Sequence, residues 1–118
     1  MEPRYQVGVL SSIVNGSPLI VSASSYQTAQ ILHQSANSPD IEELWIDAYN
    51  FSESLQFLSV FFAGMPSGQE IVYPIIPRSG LVPIFKGRRL TNGASLLVFA
   101  SAPSTIGIMG EMNRIVTS

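Results

Sequence analysis

The chain has 118 residues, 46% of them apolar and only 12% charged, with a net charge of -2 and a pI near 5.2. That length suits one domain with its own core, the acidic balance provides no basic face for nucleic acid, and the absence of cysteine excludes disulfides, thiolate nucleophiles and cysteine-ligated metals. With about half the usual quarter of charged residues, the outside must be coated by Ser, Asn, Gln and Thr, or else covered by other protein.

The opening MEPRYQVGVL carries an acid and a proline and lacks a signal peptide's long apolar region, and no apolar stretch reaches transmembrane length. The expectation is synthesis in a cytosol, with no membrane partner. Residues 1–25 read as an extended N-terminal arm. VGVL and PLIV are apolar, but Ser11, Ser12, Asn15, Gly16 and Pro18 interrupt them and a serine-rich run follows. Such a segment suits a neighbour's groove or sheet edge, with Tyr5, Val7, Val9 and Leu10 as its contact residues. An ordinary first strand with a frayed terminus is the alternative.

From Tyr26 the punctuation becomes regular. Apolar runs fall at 28–34, 43–50, 55–63, 69–76, 81–86, 94–101 and 105–115, separated by turn residues such as Ser38-Pro39-Asp40, Asn92-Gly93 and Ala102-Pro103-Ser104. This rhythm predicts an all-β fold: a single β-sandwich, jelly-roll-like, of about seven to eight strands over residues 26–118. Prolines at 66, 74, 77, 83 and 103 break most helical windows. Pro74 and Pro83 lie inside apolar runs, so those runs should be edge strands or bulged.

The run LQFLSVFFA is apolar on both faces. Leu58, Val60 and Phe62 point one way; Leu55, Phe57, Ser59 and Phe61 point the other. A half-buried strand should be polar on one side. Either a loop or the arm folds over the second face, or Leu55, Phe57 and Phe61 meet another subunit, since large aromatics dominate such contacts.

Residues for catalysis are sparse. His33 is the only histidine, so no two-histidine metal site exists, and a surface or interface position is expected for it. Glu42 and Glu43 are adjacent and on a strand point to opposite faces. No calcium loop, dinucleotide fingerprint or phosphate-binding loop is present. No catalytic residue, cofactor, metal or small-molecule substrate is expected. Asn50-Phe51-Ser52 matches the glycosylation pattern by chance. Lys86, Arg88 and Arg89 hold three of the six basic residues; they form either a solvated hairpin shoulder or a docking patch for a partner's carboxylates.

Taken together, IEELWIDAYNFSES and IPRSGLVPIFKGRRLTNGASLLVFASAPSTIGIMGEMNRI carry a resemblance. The pattern has an EELW-type strand ending in an Asn-centred turn (43–50) and a strand running into a glycine (57–64). Pro-x-Ser-Gly-Leu (77–81), Leu-Thr-Asn-Gly (90–93), an apolar strand ending in Ala (96–100) and Gly-x-x-Asn-Arg-Ile (110–115) follow. Over residues 28–115 it resembles small β-sandwich virion proteins of tailed bacteriophages, of the capsid decoration or cement type. Phe57, Phe61 and the basic run 86–89 depart from that pattern. The resemblance implies a non-enzymatic homotrimer on the virion capsid surface, made in the host cytoplasm, with the major capsid protein and copies of itself as partners. A tail, baseplate or fibre domain touching the host surface is the alternative.

Overall fold

The computed structural model describes residues 4–13, 16–36 and 40–116, with side chains from residue 6 onward. Its strands are β1 (Arg4–Val9), β2 (Leu19–Ile20), β3 (Gln30–Gln34), β4 (Ile41–Asn50), β5 (Gln56–Phe62), β6 (Ile71–Ile75), β7 (Val82–Leu90), β8 (Ser95–Ala100) and β9 (Ile106–Val116). They form two antiparallel sheets. In the first, β1 and β2 share one side of β9, followed by β4 and β7; the second has the order β3-β8-β5-β6. From β2 to β9 this is the winding of a jelly roll, two four-stranded sheets face to face.

Period-2 alternation sets the core. On β4 Glu42, Leu44, Ile46, Ala48 and Asn50 point inward, and the residues between them point out. Leu44 and Ile46 pack with Leu58 and Val60 of β5, Leu96 and Val98 of β8, and Ile106 and Ile108 of β9. The two proline-bearing strands are both edge strands, as expected: β6 ends the second sheet and β7 the first, opposite β3 and the β1/β2 side respectively. The β4–β7 register shifts at Leu44/Trp45 and at Ile46/Asp47, where Gly87 takes a φ of 83°. That left-handed backbone favours glycine within a bulge.

The extended arm is corrected by the structure. β1 pairs along β9 from Arg4 opposite Val116 to Val9 opposite Glu111, and β2 pairs with Ile108 and Gly107. Leu10, Ile13, Val21 and Ala23 are all buried. The segment is therefore part of the sandwich, because its apolar side chains complete the core and its serines find partners within the chain. Ser11 Oγ, for instance, accepts the Gln34 N–H at 2.9 Å.

Candidate functional site

Both sheets carry apolar side chains on their outer faces. On the first sheet β4 presents Trp45, Asp47 and Tyr49, and the register places Glu111 opposite Trp45, Met109 opposite Asp47 and Gly107 opposite Tyr49. Val7 and Val9 extend this surface on β1, and both are exposed. Trp45, 41% exposed, lies over Gly87, whose missing Cβ would sit 3.3 Å from the indole. Tyr49 occupies the space over Gly107, where a Cβ would overlap its ring. An aromatic laid across a glycine restores contact the glycine cannot supply. Gly107→Ala is expected to cost about 1–3 kcal/mol by overpacking. Adding it to Tyr49→Ala should cost little more than Tyr49→Ala alone, a non-additivity readable in urea melts. Additive losses would refute the ring-over-glycine contact as the cause.

Two shallow concavities mark this face. One, of about 510 Å³, is lined by Val7, Val9, Trp45, Met109, Asp47 and Glu111 among others. The other, of about 400 Å³, is lined by Tyr49, Phe51, Arg78, Leu81 and Met109 together with Asn50 and Gly80. Met109 belongs to both, so the apolar surface is continuous.

On the second sheet Phe57 is 42% exposed, with Ile31 and Val72 also exposed. Leu55 is exposed just before β5. Phe61 is not available: it is 4% exposed, stacked on Tyr26 at 4.7 Å and edge-on to Phe99 at 6.2 Å. Tyr26 is anchored by donating its hydroxyl to the Met65 carbonyl at 2.6 Å. A loop therefore covers one end of the second face, and the expected Phe57–Phe61 interface shrinks to Leu55 and Phe57. Leu10 is likewise withdrawn from the proposed contact set, being fully buried against Gly110. Tyr5 has its backbone in β1 opposite Ile115; its side chain lies outside the described residues.

Lys86, Arg88 and Arg89 lie within β7. Arg89 sits 3.6 Å from Glu43 and the Arg88 guanidinium 5.9 Å over the Phe62 ring. Two of the three cations are thus engaged within the chain, by exposed contacts of modest strength. Lys86 remains exposed beside them.

His33 is also relocated. It is buried, and its Nε2 lies 2.6 Å from Glu42 Oε1. Its Nδ1 accepts the Ser11 N–H at 2.9 Å, so the ring hydrogen is on Nε2 and is donated to the carboxylate. Arg114 donates to the other oxygen of Glu42 from Nε at 2.9 Å and Nη2 at 2.7 Å. Burial on its own raises the Glu42 pKa, but the hydrogen bonds and charges of His33 and Arg114 together bring it below the ordinary carboxylate value. With both carboxylate oxygens occupied, this network staples the two sheets together. Among the described residues no cluster of three or more His, Asp or Glu is placed to hold a metal.

Asn50 is similarly enclosed. Its Nδ2 donates to the carbonyls of Ser54 and Ile75 at 2.8 and 2.9 Å, and its Oδ1 accepts from the Ser52 N–H at 2.8 Å. The amide organises the turn after β4 and is not presented for glycosylation.

No family model and no curated protein matches the chain. Its backbone is similar to a chain from Bacillus endospore appendages, described as a novel family of disulfide-linked pili. The two share 11% identity and a TM-score of 0.58, over 99% of this chain and 90% of that one. The likeness is one of fold.

Proposed function

We propose that this chain is a non-enzymatic virion structural protein of a tailed phage, a capsid decoration or cement protein that binds the major capsid protein and copies of itself. The observation that carries the reading is the pair of apolar outer faces. A sandwich complete in itself keeps the outward positions of its antiparallel sheets polar. Here Trp45, Val7 and Val9 on one side and Phe57, Ile31 and Val72 on the other are all exposed. Large apolar and aromatic groups in that position suit burial against protein. Binding that is specific for the assembled shell stabilises the shell by mass action, and repetition over many sites multiplies a modest local contact. The sequence pattern adds the phage assignment.

The pilus chain of like fold favours a second reading, a subunit of a filament. Disulfide linkage is closed to a chain without cysteine, so cohesion would rest on the apolar faces in that case too. Phe57→Asp tests the leading reading. The isolated variant should keep its melting temperature within a few degrees, because the side chain is half outside, and should be lost from purified particles. Full retention on particles would overturn the reading. Copy number on the scale of the shell subunits supports a capsid site; copy number on the scale of one tail structure would move the protein to the tail.

A further inference from the structure

We propose that the outer face of the first sheet is a self-association surface, on which a second copy of this chain packs antiparallel about a two-fold axis near Met109. The inference rests on the self-assembling reading above and names one of its contacts. The apolar band runs along the central strands from Val9 and Trp45, through Met109 and Tyr49, to Phe51 and Leu81. Six residues separate Trp45 from Phe51, about 20 Å of strand. The ends of the band carry opposite charges. Glu111 stands opposite Trp45 at one end, and Arg78 lines the concavity at the other. Both are exposed, and neither forms an ion pair among the described residues.

A surface with an apolar middle and opposite charges at its two ends complements itself when turned through 180°. Each Arg78 then meets the partner's Glu111, and each Trp45 end meets the partner's Leu81 end. This is the reciprocity of an isologous contact. The Trp45 and Tyr49 rings occupy the space over Gly87 and Gly107 that side chains would otherwise fill, which brings the backbone of this face closer to a second copy. A band about 20 Å long and about three strands wide offers on the order of 300 Å² per partner, against about 800 Å² in a standard interface. A single pair is therefore weak, and the contact operates through repetition. Two groups oppose it. Asp47 lies beside Met109, so the axis brings its two copies close together, and the exposed Lys86 stands opposite Trp45 at the Glu111 end, where the second copy's arginine arrives.

Sedimentation of the full chain over a concentration series tests the proposal. The wild type should show a reversible monomer–dimer equilibrium. Arg78→Glu and Glu111→Arg should each weaken it at least tenfold. An equimolar mixture of the two single variants should recover wild-type affinity, since both contacts in the mixed pair are then complementary, and recovery also shows that both variants are folded. Asp47→Asn should tighten the pair severalfold. A chain that stays monomeric throughout, a three-copy mass, or single reversals without effect would overturn the antiparallel pair. The outcomes separate from those of the virion reading. Loss of dimer with particles still decorated removes only this contact, whereas an intact dimer that never binds particles removes only that reading.

Discussion

Replacing Glu42 with alanine should lower stability by about 3–5 kcal/mol, as much as truncating a large core side chain. Glu42 is fully buried and joins three other segments at once: Ser11 through the His33 ring, β3 through His33 itself, and β9 through Arg114. Removing it strands the His33 Nε2–H inside the sandwich and leaves a partly buried guanidinium uncompensated. A leucine of similar volume should cost less than alanine, because it fills the space while the same donors stay unpaired. The measurement is urea denaturation, and a loss under about 1 kcal/mol for Glu42→Ala would show that the network is not a staple.

The same group fixes a pH dependence. The folded pKa of Glu42 is depressed, so its contribution is fully present above the unfolded value of about 4.3. It is lost progressively as pH falls from there through the folded value. Between those limits the unfolded chain binds the extra proton, and stability rises with pH. A Tm-against-pH curve should steepen in that acid window for the wild type and flatten there for Glu42→Gln. Equal slopes in the two proteins would remove Glu42 as the cause.

Gly110→Ala should be the most damaging glycine substitution, at about 3 kcal/mol or more. Its Cβ would fall 2.5 Å from the Trp45 carbonyl oxygen, 3.1 Å from Leu10 Cδ1 and 3.2 Å from the Ile46 Cα. At Gly107 the obstacle is the Tyr49 ring, which can swing outward into solvent. At Gly110 two of the three obstacles are backbone of β4, the central strand of the first sheet, and they cannot yield without breaking the β4–β9 register. The substituted chain should therefore melt well below Gly107→Ala, and trimming Leu10 to alanine in the same chain should recover little. Near-complete recovery would mean that the side chain, not the strand spacing, sets the cost.

The all-β sandwich was legible because turn residues and period-2 alternation are local signals, and seven strands fall where they were expected. Pro74 and Pro83 identified one edge strand in each sheet through a missing backbone donor, again a local property. What escaped depended on pairing distant in sequence. Nothing near Leu10 or Val21 reveals that β9, about 90 residues on, supplies the partner that turns an apparent arm into sheet. Likewise Tyr26 carries no mark that it will lie over Phe61, although cover by a loop was the stated alternative. His33 and Glu42 look unremarkable apart; Glu42-Glu43 did show that one acid of the pair must point inward, which is the signal that a buried cation or histidine should be sought. Of the outer surfaces, Leu55 and Phe57 were visible as excess apolar residues on a strand. Trp45 and Tyr49 were missed, because an aromatic placed over a glycine is defined by cross-strand register.

The position of β9 has a consequence for how the protein comes into being. It lies between β1, β2 and β4, so residues 106–116 must be synthesised before any of the pairings it makes in the first sheet can close. Until then β1, β2 and β4 expose unpaired edges, and the carboxylate of Glu42 lacks Arg114. Folding of this sheet must therefore wait on contacts between opposite ends of the sequence, a slow and cooperative route. Translation products interrupted before Ile106 lack Gly107, Met109 and Glu111, and with them the middle of the aromatic face and one of its charged ends. They are screened out of any assembly built on that face without a separate device to reject them.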